Sequence, residues 1–387
     1  MPGVPADGGE GGALITHKAH CICVVGTRPE VIKMAALIAR LDGSDWARPF
    51  VVSIGQHAEL LDRAMADFGL VADHHVFIDR QRGSILEVAS QAMDGLDALL
   101  DGMDAACVIA QGDTTTVMAT ALVAFYRRLP FVHVEAGLRT GDMQAPFPEE
   151  FNRRVAALGT RLHCAPTEGS AQNLLAEGVP EADILLSGNT VIDALLATAA
   201  QRPDLPADFL KVPRPILVTA HRRESFGLRM EEAFGALRAV VEQYADIGLF
   251  FPVHPNPNTL ALAHRLLGGH DRIVLTRPLA YPQLVAAMQA SWIVVTDSGG
   301  LQEEAPALGK PVLVLRDVTE RPEAIASGAV QLVGTDRSRI LRAIEKLYTD
   351  PAAYARMAKP VFPYGDGKAA ERIAAAIRQR IVVVNEG

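Results

Sequence analysis

The stretch "WIVVTDSGGLQEEAPALGKP", residues 292–311, joins a β-branched run to two glycines and then to an apolar segment of helical character. This order predicts a strand that turns directly into a helix at Gly299 and Gly300. The first N–H groups of such a helix have no intrahelical partner and lie at the positive end of its dipole, which suits a phosphate. Glu303 or Glu304, one turn along, would reach a sugar diol. From this segment alone, an ordinary strand-to-helix turn without a ligand is the alternative.

The same alternation of strand and helix runs through the whole chain. Apolar, β-rich runs are separated by amphipathic stretches, which predicts parallel sheets with right-handed crossovers. About a dozen strands are more than one sheet usually holds. We therefore expect an α/β fold of two Rossmann-like, doubly wound domains that face each other across a ligand-binding cleft. The predicted strands are 21–26, 50–55, 106–112, 131–136, 162–167, 184–188, 215–220, 249–254, 272–276, 292–297 and 311–315.

A segment rich in proline and charge, residues 201–215, indicates a linker between the two domains. We expect the first domain at 19–200 and the second at 216–366. Residues 1–18 have the composition of a flexible tail. The amphipathic segment 367–387 is expected to pack back on the first domain.

Composition excludes several classes of function. The chain has 387 residues, 49% of them hydrophobic, and a net charge of −8. That charge argues against a nucleic-acid surface or a membrane-binding face, so an anionic ligand must be held by local cations and N–H groups. No signal peptide or membrane-spanning run is present, which predicts a soluble, cytoplasmic protein. The cysteines have no zinc-site spacing, so we expect buried free thiols and no metal site.

Polar clusters follow six of the predicted strands, at the carboxyl ends where open α/β sheets bind ligands. Each cluster alone has an ordinary structural explanation. Their common placement indicates a binding site at facing sheet edges. The clusters are "GTRPEVIK", "QGDTTT", "EAGLRTGD", "HRRESFG", "HPNPN" and "DSGG".

Several basic residues in these clusters are candidate phosphate ligands. Arg28 and Lys33 flank the start of a helix that begins with proline, a suitable place for a diphosphate. His221 ends a strand beside two arginines and can contact a phosphate or transfer a proton. Arg321 offers a further phosphate or carboxylate partner, with a surface ion pair as its alternative. No Walker loop or G-x-G-x-x-G fingerprint accompanies them.

Four acidic residues are candidates for proton transfer. Asp113 lies between a glycine and three threonines, where helix capping is the alternative role. Glu135 ends an apolar strand, where an unpaired carboxylate is costly. Glu149 and Glu150 precede a basic pair and can also stabilise a helix dipole. If three of these carboxylates converge in one partly dry cleft, their pKa values will separate, as acid–base chemistry requires.

Taken together, nine motifs in this order resemble those of the bacterial non-hydrolysing UDP-N-acetylglucosamine 2-epimerases. The resemblance covers the chain from about residue 21 to its end. It implies a glycosyltransferase-B fold, a homodimer, no cofactor, and reversible conversion of UDP-N-acetylglucosamine to UDP-N-acetylmannosamine. The motifs are "GTRPEVIKM", "GDTTT", "HVEAGLRTGD", "PEEFNRR", "GNTVIDAL", "HRRESFG", "DSGGLQEEAPALGKPVL", "RDVTERPEA" and "PYGDGKA".

The resemblance also implies roles for individual residues. UDP would be held mainly by the second domain, and the sugar would face a set of acids and bases from the first. The diphosphate would be bound by Ser298, Gly299 and Gly300, and the ribose by Glu304. The surroundings of the diphosphate would be completed by Arg28, Lys33, His221 and Arg321. The catalytic set would be Asp113, Glu135, Glu149 and His221.

Some positions depart from the family pattern. Leu284 stands where relatives often have an aromatic residue near the uracil, and Leu279 where some have glutamine. The resemblance also implies a second, activating UDP-sugar, held by Gln56, Arg222 and His254.

The chemistry of the substrate limits the mechanism. The proton on C2 is not acidic, because its neighbour is an acetamido nitrogen and not a carbonyl. Transient oxidation at C3 would need NAD, for which the sequence has no fingerprint. The alternative is elimination of UDP to a 2-acetamidoglucal, followed by re-addition. The sequence does not assign which carboxylate removes the C2 proton. A hydrolysing epimerase, a glycosyltransferase and a silent UDP-sugar sensor are the rival functions.

Overall fold

A computed structural model describes residues 18–55, 58–209, 211–220 and 227–383. In this part of the chain, strands and helices alternate almost throughout. The strands are β1 (Ala19–Val25), β2 (Ala47–Gly55), β3 (His74–Phe77), β4 (Ala105–Gln111), β5 (Phe131–Val134), β6 (Thr160–Ala165), β7 (Ile184–Leu186), β8 (Arg214–Thr219), β9 (Ile247–Pro252), β10 (Ile273–Thr276), β11 (Ile293–Thr296), β12 (Val312–Val314) and β13 (Val330–Leu332).

The helices lie between and around these strands. They are α1 (Arg28–Asp42), α2 (Ala58–Ala66), α3 (Ile85–Leu100), α4 (Thr115–Tyr126), α5 (Glu149–Leu158), α6 (Glu168–Ala176), α7 (Thr190–Ala200), α8 (Leu228–Gln243), α9 (Pro257–Leu267), α10 (Tyr281–Ala290), α11 (Gly299–Ala307), α12 (Pro322–Ala326), α13 (Arg337–Thr349), α14 (Pro351–Met357) and α15 (Ala369–Ile377). None of the described helices is both long enough and apolar enough to cross a membrane.

The strands form two sheets with matching topology. The first has the order β3-β2-β1-β4-β5-β6-β7 and the second β10-β9-β8-β11-β12-β13. Their paired strands run parallel, for example β1 with β2 and with β4. The order reverses at β1/β4 and at β8/β11, and ligands bind at such switch points. The predicted class, two doubly wound α/β domains, is confirmed.

Each strand predicted from the sequence overlaps an observed strand, but two edge strands were missed. β3 closes one edge of the first sheet with a sequence, "HHVF", in which one of four residues is buried. β13 closes an edge of the second sheet with three residues, "VQL". Short, half-exposed edge strands lack the continuous apolar run that identifies central strands of parallel sheets.

The central strands are buried on both faces. On β1, Cys21, Cys23 and Val25 pack in one core with α1, whereas Ile22 and Val24 belong to the core on the other face. All four cysteines are buried free thiols, as predicted. Because both faces of each sheet are covered, a ligand can reach the strands only at their ends.

Two segments connect the domains. Val191 and Leu195 of α7 pack in the same core as Leu217 of β8, so α7 lies against the second sheet although β7 belongs to the first. The C-terminal helix α15 packs in the core of the first sheet through Ile373 and Ile377. α7 thus reaches the second domain, and α15 returns the chain to the first.

Candidate active site

A cavity of about 330 Å³ lies between the two domains. Arg28 and Lys33 of α1 line it from the first domain, and Ser298, Gly300 and Glu304 line it from the second. The carboxyl ends of β8 and β11 open into it. The apolar part of its wall is formed by Ile32, Leu279, Leu284 and Leu301. The cavity therefore joins cations, helix N–H groups and an apolar surface.

The N-terminus of α11 forms one end of this cavity. Ser298 is its N-cap and makes no side-chain capping hydrogen bond, so the N–H groups of the first turn are left for another acceptor. Gly299 and Gly300 are the first helical residues, and neither has a positive φ angle. Their value here is the missing side chain and not backbone freedom. A Cβ atom on Gly300 would lie 3.4 Å from Glu304 Oε2.

The structure gives different contacts to Glu303 and Glu304, the adjacent glutamates of α11 that the sequence could not distinguish. Glu304 lines the cavity, and its Oε1 accepts a hydrogen bond from the Tyr281 hydroxyl at 2.7 Å. Burial raises the pKa of Glu304 to about 7, against a smaller lowering by that hydroxyl. Glu303 is also buried but contacts a different set of side chains.

Glu135, the acid at the end of β5, is buried and ion-paired. Lys33 Nζ lies 2.6 Å from Glu135 Oε1 and 2.8 Å from Oε2, and the Gln111 amide donates to Oε2. Burial raises the pKa of Glu135, but Lys33 and Arg321 outweigh burial and hold that pKa below its usual range. Burial lowers the pKa of Lys33, but the nearby carboxylates outweigh burial, so that this pKa lies above its usual value. Glu135 also has a positive φ angle of 64°, a strained conformation typical of functional sites.

Arg321 is not on the surface. Its guanidinium is buried and pairs with Glu303, with a longer contact to Glu320 at 3.7 Å. Burial lowers and these carboxylates raise the pKa of Arg321, so that it stays charged. The alternative, a surface ion pair with Glu320 or Glu323, is therefore wrong in its location, although the contact with Glu320 exists. In the described part of the chain, Arg321 lines neither this cavity nor the second one described below. It acts on the site through Glu303.

A second cavity, of about 530 Å³, adjoins the first at Arg28, which lines both. Glu149 lines this cavity, and its Oε2 atom is buried without a hydrogen-bond partner among the described residues. Glu150, its neighbour, is fully buried and accepts hydrogen bonds from the Thr140 and Gly141 N–H groups at 3.0 and 3.3 Å. Glu150 therefore holds the 139–141 loop, while Glu149 faces the cavity.

Asp113 follows β4 and contacts α5, the helix that begins at Glu149. The Arg153 guanidinium pairs with its carboxylate, and the Asn152 amide donates to its backbone carbonyl at 3.0 Å. Its side chain is 31% exposed. Asn152 and Glu149 are one turn apart on α5 and line the same cavity. The three predicted acids thus lie at the same edge of the first sheet, each with different partners.

Three predicted residues, Gln56, His221 and Arg222, lie outside the described residues. His254 is exposed, lines the first cavity, and accepts a hydrogen bond from the Asn256 N–H group at 3.2 Å. The site for an activating UDP-sugar stays a prediction.

Four residues of the site had no role in the sequence-based prediction. Gln111 contacts Glu135, Tyr281 contacts Glu304, and Asn189 bridges Glu135 and Glu303. Asn189 belongs to the motif "GNTVIDAL", where an asparagine before an apolar helix indicates an N-cap. Glu30 completes a capping box with Thr27, a T-x-x-E signature visible in the sequence.

Comparisons with known proteins identify one family. A family profile described as UDP-N-acetylglucosamine 2-epimerase matches residues 39–378. The chain is 44% identical over 367 residues to the UDP-N-acetylglucosamine 2-epimerase of Escherichia coli K12, covering 92% of this chain and 98% of that protein. A solved structure of the Neisseria meningitidis UDP-GlcNAc 2-epimerase bound to UDP-GlcNAc matches with a TM-score of 0.88 and 38% identity, covering 93% and 100%. A kitacinnamycin glycotransferase shares only the fold, with a TM-score of 0.64 and 14% identity over 94% of this chain and 99% of that one. The expected glycosyltransferase-B fold is confirmed.

Proposed function

This chain belongs to the UDP-N-acetylglucosamine 2-epimerase family, and from that premise we propose that it interconverts UDP-N-acetylglucosamine and UDP-N-acetylmannosamine without net hydrolysis. One observation supports this most strongly: the N-terminus of α11 lines the same cavity as Lys33 of the opposite domain, and Lys33 pairs with the buried Glu135. An anion site thus lies beside a buried carboxylate.

We place UDP in the first cavity. The Ser298 hydroxyl, the N–H groups of Gly299 and Gly300 and the Arg28 guanidinium bind the diphosphate. Glu304 binds the ribose hydroxyls. The uracil lies against the apolar wall that includes Leu279 and Leu284. The Neisseria relative was solved with UDP-GlcNAc bound, which supports this choice of ligand.

The reaction begins with cleavage of the bond between C1 and the β-phosphate oxygen. The electron pair leaves with UDP, whose charge the cations and N–H groups stabilise. Loss of the C2 proton to a carboxylate then gives 2-acetamidoglucal. Re-addition of UDP at C1, with a proton delivered to the opposite face of C2, gives the epimer. Atoms balance without an oxidant.

We assign removal of the C2 proton to Glu135. Its lowered pKa keeps it ionised near neutral pH, as a base requires. Lys33 lines the cavity and also binds Glu135, so charge that develops on the diphosphate attracts this ammonium. The weakened ion pair then raises the pKa of Glu135 and makes it a stronger base. Asp113, Glu149 and His221 supply the remaining acid–base groups of the proposed set.

Incubation with UDP-N-acetylglucosamine alone, in heavy water and followed by NMR, tests this function. We expect UDP-N-acetylmannosamine that carries deuterium at C2, with UDP remaining esterified. Accumulation of free UDP and N-acetylmannosamine would support the hydrolysing alternative. Turnover that needs an acceptor would support a glycosyltransferase, and binding without any product would support a sensor.

We also propose a homodimer, formed by an apolar face at the C-terminal ends of α4 and α5. Phe125, Tyr126 and Leu158 are 60%, 79% and 87% exposed there. Exposed apolar patches on a soluble protein mark interaction sites. Sedimentation of the Leu158→Glu variant should show monomers, whereas Val71→Glu, at an 80% exposed position outside this face, should sediment like the wild type. Monomeric wild-type protein would contradict the proposal.

A further inference from the structure

One side-chain amide joins buried carboxylates from the two domains. Asn189 Nδ2 donates to Glu135 Oε1 at 2.9 Å and to Glu303 Oε2 at 3.0 Å. Glu135 follows β5 of the first sheet, and Glu303 lies on α11 of the second domain. Because both carboxylate oxygens contact a single nitrogen atom, they cannot lie farther apart than the sum of these two distances.

The orientation of this amide is fixed on its other sides. Asn189 is the N-cap of α7, and its Oδ1 accepts a hydrogen bond from the Val191 N–H group at 3.1 Å. An N–H group can bond only to the oxygen of the amide, so the NH₂ group must face the carboxylates. The backbone N–H of Asn189 donates to the Tyr364 carbonyl at 2.6 Å. A flipped side-chain amide would lose both the bond from the Val191 N–H group and the bonds to the two carboxylates.

The backbone here needs glycine on both sides. Gly188 precedes Asn189, and a Cβ atom on it would lie 3.1 Å from the Cα atom of Gly365. A Cβ atom on Gly365 would in turn lie 3.2 Å from the Asn189 nitrogen. The motifs that contain Gly188 and Gly365 therefore pack backbone against backbone, which anchors Asn189 at the crossing from β7 to α7.

The two carboxylates that Asn189 joins serve different parts of the site. Glu303 precedes Glu304 on α11, the helix whose N-terminus we propose binds the diphosphate. Glu135 is the proposed base. Each carboxylate has its own cation, Lys33 for Glu135 and Arg321 for Glu303, so the buried cluster is charge-balanced. The uncharged amide adds a directional link between the base and the nucleotide-binding helix.

We propose that Asn189 is a positioning residue that sets the placement of the Glu135 carboxylate relative to α11, and thus relative to C2 of the bound sugar. This inference rests on the function proposed above. A base that is misplaced by about 1 Å can cost about 100-fold in rate while the ligand still binds. Asn189 therefore governs kcat and not nucleotide affinity.

The Asn189→Ser variant separates this role from helix capping, because serine caps helices as well as asparagine does but lacks the NH₂ group. We expect kcat to fall by about 10- to 100-fold, with KM and the UDP Kd almost unchanged. Loss of a donor to the Glu135 carboxylate raises its pKa, so the acid limb of kcat/KM moves to higher pH. Asn189→Thr, which also keeps a capping oxygen, lacks the NH₂ group and adds no charge, should show both effects and serves if the serine variant folds poorly.

Asp336→Ser is the matched control. Asp336 caps α13, which packs on α8 and α14, and its replacement changes a helix cap without touching a cavity. This control should keep the wild-type kcat and pH profile. Wild-type kcat and an unmoved acid limb in Asn189→Ser would overturn the inference, as would equal losses of kcat and UDP affinity. Absence of epimerisation in the wild type would instead overturn the proposed function.

Discussion

In both domains the carboxyl ends of the parallel strands face the cleft, but the side chains at these ends differ. In the first domain, the charged groups at the strand ends are already paired with each other, as Lys33 is with Glu135 and Arg153 with Asp113. The second domain also has a buried pair, Arg321 with Glu303, but at β11 it adds the uncapped N-terminus of α11 and an apolar wall. The difference indicates a division of labour, with chemistry on the first domain and nucleotide binding on the second.

Two buried carboxyl groups show this difference on a smaller scale. Burial raises the pKa of Glu30 and of Glu304 to about 7. Glu30 accepts hydrogen bonds from the Thr27 N–H and from the Thr114 hydroxyl, both in its own domain. Glu304 accepts one from Tyr281 and otherwise faces the cavity. The first supports a loop, whereas the second is placed to meet a ligand.

The largest effect is expected from Glu135→Gln. Removal of the proposed base should lower kcat by about 1,000-fold, because positioned general bases contribute roughly 10²–10⁴-fold. The UDP Kd should change by less than about threefold, because Glu135 is not among the proposed UDP ligands. Steady-state kinetics and calorimetric titration with UDP measure the two quantities.

Asp246→Asn is the control for this substitution. Asp246 pairs with Arg214 at the amino ends of β8 and β9, away from the cleft. Its neutralisation also removes an ion pair but should leave kcat unchanged. Wild-type turnover in Glu135→Gln, or a large loss of UDP affinity, would break the division of labour.

The next effect concerns the pH dependence of stability at Glu30. Its folded-state pKa is about 7, against 4.5 for an ordinary glutamate, so its contribution is present below pH 4.5 and is lost as pH rises through 7. Relative to Glu30→Gln, the wild type should therefore lose about 3 kcal/mol of unfolding free energy between pH 4 and pH 8. Urea unfolding of both proteins at the two pH values measures this.

Glu304→Gln provides the comparison for Glu30. Without ligand, the wild type should also lose unfolding free energy relative to Glu304→Gln as pH rises, because burial raises the pKa of both glutamates. Added UDP should alter the pH dependence associated with Glu304 only. An equal response of Glu30 to UDP would contradict the assignment of the nucleotide to the second domain.

Gly300→Ala should weaken UDP binding by about 10-fold, the equivalent of about 1.4 kcal/mol. The added methyl group would lie 3.4 Å from Glu304 Oε2 and 3.9 Å from Ser298 Oγ, between the proposed ribose and diphosphate ligands. Gly102→Ala is the control, since a Cβ atom there meets no atom within 4 Å. Unchanged UDP affinity in Gly300→Ala would place the diphosphate elsewhere.

The smallest effect is expected from Leu284→Phe. An aromatic ring at this half-buried position in the cavity wall can stack on uracil, which should tighten UDP binding by about threefold. Binding of UDP and of inorganic pyrophosphate should be compared by calorimetry. A gain for pyrophosphate as large as that for UDP would show that the ring acts on something other than the base.

The sequence predicted the fold because buried parallel strands are continuous apolar runs that end in polar clusters. It failed at β3 and β13, whose residues are half-exposed at sheet edges. It found Lys33 and Glu135 but not their pairing, which joins residues 102 positions apart. It also could not separate Glu303 from Glu304, because neighbouring helix positions differ only in the direction that tertiary packing gives them.

Positional isotope exchange tests the central claim most directly: UDP leaves C1 yet stays bound to the second domain while the first domain exchanges the C2 proton. UDP-N-acetylglucosamine is labelled with ¹⁸O in the oxygen that bridges C1 and the β-phosphate, and recovered substrate is examined by ³¹P NMR during turnover. We predict that the label scrambles into non-bridging positions of the β-phosphate. Epimerisation with the label fully retained in the bridge would show that the C1–O bond never opens, and would contradict the account.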